Sequence, residues 1–211
     1  MRILIACEES QTVCIAFREK GHEAYSCDII DCSGGHPEWH IKEDVLKVIE
    51  REHWDMMIAF PPCTYLTSSG LHWNKRVPGR NAKTKEAVAF VKELMDAPIE
   101  KIAIENPPGR INTAIRKPDQ LIHPYYFGDE AQKKTNLWLK NLPRLIHASE
   151  SGLFENKTHV GKGDMMKCVR KDGRIEYRAR WNQGLPPSKD RAKIRSKTFP
   201  GIAKAMADQW G

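Results

Sequence analysis

Short apolar runs alternate with amphipathic segments along the first half of the chain. The apolar runs predict four strands, at Arg2–Cys7, His22–Ile30, Asp55–Phe60 and Ile99–Ile104. Segments with apolar residues at helical spacing predict helices at Gln11–Lys20, Glu43–Glu52 and Thr84–Met95. Strands and helices that alternate in this way predict an α/β fold, a mostly parallel sheet with helices on both faces.

Residues with reactive side chains stand where the predicted strands end. They are Glu8, Asp28, Cys63 and Glu105. Ligands of parallel sheets bind beyond the carboxyl ends of the strands. We therefore expect these side chains to share one edge of the sheet, which we call the rim.

The sequence Phe60-Pro61-Pro62-Cys63 follows directly after an apolar strand. Two prolines fix an extended turn and carry no amide hydrogen that needs a partner, so they would hold Cys63 rigidly at the rim. A thiolate in that position could attack an electrophile. The alternative is that Cys63 is a small apolar residue packed under a loop.

The sequence Glu105-Asn106-Pro107 gives a carboxyl group the same rigid setting at the end of the next strand. A loop carboxylate or a helix cap is the alternative role for Glu105. A thiol and a carboxyl group on neighbouring strand ends, however, suit a reaction that needs a nucleophile beside a proton donor.

In their order along the chain, these motifs resemble those of the cytosine-C5 DNA methyltransferases, in particular short phage- and prophage-type members. The Pro-Cys and Glu-Asn loops of that family supply the nucleophile and bind the target base. Residues 124–128 (PYYFG) and 132–138 (QKKTNLW) resemble the family's aromatic-Gly stretch and its Gln-x-Arg-x-Arg strand. Residues 196–201 with Ile202–Trp210 stand where its last cofactor-contacting helix would be.

The resemblance implies a Rossmann-like fold that transfers a methyl group from S-adenosylmethionine to C5 of cytosine in DNA, through a covalent adduct of Cys63 at C6. The catalytic residues it implies are Cys63, Glu105, Pro62 and Asn106. The cofactor-binding residues it implies are Glu8, Ser10, Asp28, Asp44 and Phe60. Asp28 would accept hydrogen bonds from the ribose, and Asp44 would contact the adenine unless it is simply an acid at a helix N-terminus. The substrate-binding residues it implies are Ser69, Lys134, Asn136, Arg178 and Arg180.

Two departures from the family pattern affect substrate and donor. The first loop, Ala6 to Gln11, has none of the family's glycines, which leaves a modified S-adenosyl donor open. Lys134 and Asn136 replace the two arginines and do not reproduce a planar guanidinium fork, so cytosine or another pyrimidine is open as well.

The chain of 211 residues carries a formal net charge of +7, and the excess is concentrated near its C-terminus. Between Lys157 and Lys197 stand 13 Lys or Arg residues against four Asp or Glu residues. With Tyr177 and Trp181 interleaved as stacking surfaces, this composition favours nucleic acid as the partner. Lys-Gly-Asp and Lys-Asp-Gly turns predict a hairpin of Met165–Val169 with Arg174–Arg178.

We predict three parts: a catalytic domain (1–144), a small basic insertion that forms a minimal target-recognition element (145–192), and a returning C-terminal helix (193–211). So small an insertion predicts DNA binding of low sequence specificity. The polar loop Thr64–Asn81, with a hinge at Ser68-Ser69-Gly70, is expected to close over the substrate.

The apolar runs are too short to cross a membrane, and the first residues read as a strand rather than a signal peptide, so we expect a cytoplasmic protein with six reduced cysteines. The spacing of Cys32, His36 and His40 fits no standard zinc pattern, and we predict no metal.

Three functions stay open at this point. The first is pyrimidine-C5 transfer on DNA, the second is the same chemistry on RNA or a nucleotide, and the third is nucleic-acid binding without catalysis. The third has no use for a thiol at position 63. The second is disfavoured for a mononucleotide because one phosphate does not need so much positive charge.

Overall fold

The structure is a computed structural model that describes residues 1–147, 158–170, 172–183, 186, 188 and 191–211. The strands in these residues are Arg2–Ala6 (β1), Glu23–Asp28 (β2), His40–Lys42 (β3), Met56–Ala59 (β4), Lys101–Asn106 (β5), Gln120–Ile122 (β6), Thr135–Lys140 (β7), Met165–Val169 (β8) and Ile175–Ala179 (β9). The α-helices are Thr12–Glu19 (α1), Val45–Arg51 (α2), Ser68–Leu71 (α3), Arg80–Met95 (α4), Ile111–Ala114 (α5), Arg180–Gln183 (α6), Arg191–Ser196 (α7) and Pro200–Trp210 (α8). Short 3₁₀ helices cover Pro37–Trp39, His72–Lys75 and Pro124–Phe127.

Within the described residues, seven strands form one sheet in the order β3-β2-β1-β4-β5-β7-β6. Strands β1 to β5 pair in parallel, and β7 runs antiparallel to both of its neighbours, β5 and β6. The order 3-2-1-4-5 is that of doubly wound nucleotide-binding sheets. The predicted Rossmann-like α/β fold with a mostly parallel sheet is therefore confirmed.

The central strands are apolar at consecutive positions because both faces of the sheet are covered. On one face, Ile3, Ile5 and Met56 pack in a cluster with residues of α1 and α8, among them Phe17 and Met206. We call this the α1 face.

On the opposite face, Leu4, Met57 and Ile102 pack in a second cluster with residues of α2 and α4, among them Val48 and Leu94. We call this the α4 face. Side chains alternate between the α1 and α4 faces along each strand. The same alternation determines on which side of the sheet the polar residues at the strand ends lie.

The prediction of a polar loop at Thr64–Asn81 is wrong, because α3, a 3₁₀ turn and the start of α4 occupy much of this segment. The expected hinge at Ser68-Ser69-Gly70 lies inside α3. Side chains hold the segment against α4: the Thr84 hydroxyl donates to the Tyr65 carbonyl at 3.1 Å, and the Asn74 amide donates to that hydroxyl at 2.9 Å. These hydrogen bonds order a segment whose polar composition, taken alone, predicts a loop.

The second predicted strand also ends earlier than expected, at Asp28 rather than Ile30. Its parallel partner β1 runs out, since Ala6 pairs with Cys27, and Ile29 and Ile30 turn outward and are 73% and 50% exposed. Strands β3 and β6, of three residues each, are too short to give a period in the sequence.

The predicted basic hairpin is present, with β8 antiparallel to β9. The second strand of the hairpin begins and ends one residue later than predicted. Of the predicted insertion 145–192, residues 148–157, 171, 184, 185, 187, 189 and 190 lie outside the described residues. The boundaries at 144 and 192 remain predictions. In the described part of the chain, no helix combines the length and the apolar character needed to cross a bilayer.

Candidate active site at the rim

The loop after β4 presents Cys63 at the rim. The Phe60 amide still donates to the Ala6 carbonyl at 2.9 Å, so the chain stays aligned with β1 up to the two prolines. The Cys63 carbonyl then accepts from the amides of Leu66 and Thr67, at 2.9 and 3.0 Å, which closes a tight turn. The Cys63 side chain is half-buried in this turn. The segment thus places the thiol at the rim, in a turn that two backbone hydrogen bonds close.

The end of β5, beside β4 in the sheet, brings Glu105 and Asn106 to the same rim. The Glu105 side chain is 12% exposed and Asn106 is 1% exposed. The Asn106 amide donates to the Pro61 carbonyl at 2.7 Å and so joins the Glu-Asn loop to the Pro-Pro-Cys loop. Because Asn106 is buried and its partner is backbone, this bond fixes the spacing between the two loops.

Backbone contacts extend the connection beyond Asn106. The Ser68 amide donates to the Pro108 carbonyl at 3.1 Å, and the Arg110 amide donates to the Leu66 carbonyl at 2.7 Å. Gly109 lies so close to the first loop that a Cβ atom there would be 1.9 Å from the Leu66 carbonyl oxygen. The two loops are therefore one body, and only glycine fits at position 109.

The charge of the carboxyl group affects the ionisation of the thiol. Burial raises the pKa of Cys63, and the Glu105 carboxylate raises it further, while Lys133 and Arg195 lower it. Burial likewise raises the pKa of Glu105, and the Lys133 ammonium and the Thr135 side chain oppose that rise. Both shifts in pKa favour the neutral forms of the thiol and the carboxyl group.

Lys133 is a residue of this site that the sequence analysis does not single out. Its Nζ lies 4.0 Å from Glu105 Oε1, and its side chain is 16% exposed. Alternation along the strands explains the placement. Ala103 and Leu137 belong to the α1 face, so Glu105 and Thr135 point to that side of the sheet. Lys133 stands two residues before Thr135 in the sequence.

Asn136 lies on the other side of the sheet from Glu105. Its neighbour in register is Asn106, and its amide donates to Asn112 Oδ1 at 3.2 Å. Asn136 is 1% exposed, whereas Lys134 is exposed to solvent. Burial lowers the pKa of His123, and the charge of Lys134 lowers it further. The structure thus brings Lys133 to Glu105 and does not bring Asn136 there. Because Lys133 precedes the first residue of β7, no periodic signal in the sequence separates the two sets.

Glu8 lies beneath the first loop, 4% exposed. Its carboxylate accepts hydrogen bonds from the amides of Val13 and Cys14, at 2.7 and 3.2 Å, and so caps the N-terminus of α1. Burial raises the pKa of Glu8 to about 7, against the effect of these two hydrogen bonds. Ser10 is next to it, with its hydroxyl 3.1 Å from that of Thr12.

The first loop makes its turns without glycine. Cys7 and Gln11 have φ angles of 58° and 60°, in the left-handed region that usually favours glycine. Gln11 is fully buried, donates to the His36 carbonyl at 2.7 Å and accepts from the His36 amide at 3.1 Å. These contacts hold Gln11 in its strained conformation, so the missing family glycines do not prevent a tight turn beyond β1.

The two predicted acidic cofactor ligands differ in setting. Asp28 ends β2 at the rim, half-buried, with a pKa raised by burial, and its Oδ1 accepts from the Ile30 amide at 3.3 Å. Asp44 is exposed and is the N-cap of α2, accepting from the Leu46 amide at 3.0 Å. Asp44 therefore acts as a helix cap, which was the alternative role for this residue, and its contact with a ligand stays a prediction.

The remaining predicted substrate contacts lie on the surface. Ser69 is exposed in α3, and its hydroxyl is 3.2 Å from that of Thr67. Arg178 on β9 is paired with Glu176, and Arg180 is exposed at the start of α6. Tyr177 is 65% exposed.

Trp181, the second expected stacking surface, is instead partly buried. Its ring packs against Phe199 with centroids 5.1 Å apart, and its indole Nε1 donates to the Gln132 carbonyl at 3.4 Å. It therefore connects the end of the hairpin to the segment that carries Lys133.

The ring nitrogens of His40 lie 2.8 Å from Ser26 Oγ and 2.8 Å from the Ile30 carbonyl oxygen. The His36 ring stacks on Trp39 with centroids 3.8 Å apart. Within the residues that the structure describes, no three His, Cys, Asp or Glu side chains are grouped as a metal site would need.

No protein-family model matches the chain, and no curated protein matches its sequence. Among solved structures, the chain is similar to a prophage-encoded protein of E. coli that is provisionally described as a DNA modification methyltransferase. The sequence identity is 13% and the TM-score is 0.43, over 65% of this chain and 45% of that one. The chain thus matches less than half of that protein's length, and a likeness of this size gives no information on activity.

Proposed function

We propose that this protein transfers a methyl group from S-adenosylmethionine to C5 of cytosine in DNA, with Cys63 as nucleophile and Glu105 as the carboxyl that binds the base. The observation that carries the proposal is the rigid pairing of the two loops at the rim. Asn106 bonds to the Pro61 carbonyl, and the Glu105 carboxylate is close enough to raise the pKa of Cys63. A purely binding protein has no use for a buried acid beside a thiol.

The chemistry follows from the weakness of C5 as a nucleophile. The Cys63 thiolate adds to C6 of the ring, the C5–C6 double bond opens, and N3 takes a proton from Glu105 as negative charge moves onto the ring. C5 would then take the methyl group as the bond between that methyl and the sulfonium sulfur of the donor breaks, and the donor would leave as a neutral thioether. A base or a water molecule removes the C5 proton, N3 returns its proton to Glu105, the C5–C6 double bond re-forms, and the thiolate leaves. Covalent addition thus divides one difficult substitution into easier steps.

Glu105 suits this step because burial raises its pKa and favours the protonated form. A protonated carboxyl can donate to ring N3 and stabilise the anionic ring. Protonation of Glu105 also removes a negative charge beside Cys63, which makes the thiol easier to ionise. The same proton therefore assists both residues.

The residues of the first loop fit an S-adenosyl cofactor. The left-handed turns at Cys7 and Gln11 supply the tight backbone that glycines give elsewhere, and Asp28 and Phe60 lie at the strand ends beside it. Asp28 would hold the ribose, Asp44 the adenine, and Ser10 the methionine end, with Glu8 fixing the loop to α1. The cofactor, when bound, supplies an electrophilic methyl group.

We assign DNA as the substrate on the basis of charge. The net charge is +7, and Ser69, Lys134, Arg178 and Arg180 are the side chains we expect to meet it, with Asn136 supporting the strand beneath. A minimal basic element at 145–192 would contact mainly phosphates, so sequence specificity would be low. A cytosine within a duplex would have to be flipped out to reach Cys63.

The test uses DNA that contains 5-fluorocytosine, incubated with the protein and S-adenosylmethionine and analysed by intact mass. Because fluorine cannot leave C5 as a proton does, the reaction should stop at a covalent adduct of protein, DNA and one methyl group. Cys63→Ser should form none, and Cys32→Ser, which removes a half-buried cysteine elsewhere, should behave as wild type. Absence of a wild-type adduct on both single- and double-stranded DNA would overturn the proposal, and an adduct on RNA alone would reassign its substrate.

A further inference from the structure

The loop before β7 places one positive charge beside the Glu105 carboxyl of the site. The Lys133 ammonium lies 4.0 Å from the Glu105 carboxylate, and both side chains are largely buried. At 4.0 Å the contact is electrostatic rather than a hydrogen bond, so the ammonium is not committed to Glu105 alone. Lys133 also acts on Cys63, since its charge lowers the pKa of the thiol.

Lys133 is not one of the two positions that the family resemblance identifies in this segment. The resemblance aligns Lys134 and Asn136 with the family's arginines, whereas the 4.0 Å distance to Glu105 places Lys133 at the rim. Arg195 also lowers the pKa of Cys63, but its side chain is exposed, so solvent screens it more than it screens Lys133. Among the described residues, Lys133 is thus the largely buried cation at this pair.

We propose that Lys133 is a positioning residue, whose ammonium group stabilises the anionic form of Cys63 and orients the Glu105 carboxyl beside it. The inference deepens the proposed function, because it concerns the same site and gives the nucleophile its charge partner. A lysine serves here as a point charge, without the fixed fork that arginine would direct at one carboxylate. Loss of the charge makes Cys63 harder to ionise, whatever the substrate.

The experiment measures how fast iodoacetamide alkylates Cys63 as a function of pH, with neither DNA nor methyl donor present. Mass spectrometry of the tryptic peptide 52–75, in which Cys63 is the sole cysteine, separates this thiol from the other five. For Lys133→Met we expect the midpoint to rise by about one pH unit, and the rate at pH 7 to fall by up to about tenfold. Lys133→Arg should restore most of the rate.

The matched control is Lys140→Met, at the far end of β7, where Nζ donates to the Ala97 carbonyl at 3.1 Å. Its alkylation profile should equal that of wild type. Thermal unfolding of each variant shows whether it is folded, and Lys133→Gln provides a second neutral side chain. An unchanged midpoint in folded Lys133→Met or Lys133→Gln would overturn the inference.

A double variant separates direct from indirect action. In Glu105→Gln the carboxylate is gone, so the midpoint of Cys63 should fall. Adding Lys133→Met to that background should raise it again if the ammonium acts on the thiol itself. If the second change has no effect, Lys133 acts only by neutralising Glu105, and the proposed role toward Cys63 is wrong. Because no substrate is present, these outcomes do not depend on whether the protein methylates DNA.

Discussion

At the scale of single residues, the sequence predicts which side chains reach the rim better than it predicts what they contact. Cys63 and Glu105 were identifiable because a proline-rich turn after an apolar strand constrains both. Lys133 was not identifiable, because residues 131–134 have no regular structure and only the register of β7 decides which side a side chain takes. Glu8 lies between these cases. Its contact with a cofactor stays a prediction. Its hydrogen bonds to the N-terminus of α1 are visible only in the folded structure and cannot be predicted from the sequence.

The buried carboxyl of Glu8 should make the stability of the protein depend on pH. Its pKa rises from 4.5 to about 7 on folding, so the folded protein binds this proton more tightly than the unfolded chain does. The contribution of Glu8 to stability is therefore complete below pH 4.5 and is lost as the pH rises through about 7. In Glu8→Gln the free energy of unfolding should lose this decline, which is at most about 1.4 kcal/mol per pH unit.

Urea unfolding at several pH values from 5 to 8 measures this slope. Glu19→Gln removes an exposed carboxylate from the far end of α1 and should keep the wild-type slope. An identical slope in wild type and Glu8→Gln would show that Glu8 does not titrate between those limits.

At the scale of elements, the hydrophobic pattern predicts the parallel strands and the helices that cover them, and it is wrong for the segment after Cys63. A periodic signal needs a few turns to be visible, and α3 has four residues. Tertiary bonds from Thr84 and contacts with the loop after β5 determine its structure. The short strands β3 and β6 escape prediction for the same reason, since their register comes from neighbours distant in sequence.

The contact between the two rim loops, the one that carries Cys63 and the one after β5, predicts a strong effect of a single methyl group. In Gly109→Ala the new Cβ would lie 1.9 Å from the Leu66 carbonyl oxygen, which is backbone and cannot rotate away. We expect a loss of about 1–3 kcal/mol in the free energy of unfolding, together with a shifted alkylation profile of Cys63, because the turn that carries the thiol must move. Gly161→Ala, where a Cβ atom meets nothing within 4 Å, should change neither.

At the scale of the whole molecule, the two ends of the chain complete one core. Helix α8 packs against α1 on the α1 face of the sheet, with Ile202 and Met206 in the same cluster as Val13 and Phe17. The family resemblance alone implies a final helix that returns to the first part of the chain. Which helix it packs against follows from the strand order, which local patterns do not contain.

Trp210, the last residue of α8, should therefore matter for the stability of the entire fold. It is 4% exposed, and its indole Nε1 donates to the Pro143 carbonyl at 2.9 Å, so it joins the end of the chain to the segment after β7. Trp210→Ala should lower the free energy of unfolding by about 3–5 kcal/mol, since it leaves a cavity and an unsatisfied carbonyl. That is a large part of the roughly 5–15 kcal/mol that holds a domain together. Trp73→Ala, at a position 46% exposed, should cost far less in the same urea titration. Equal losses would mean that the core on the α1 face is closed without the C-terminal helix.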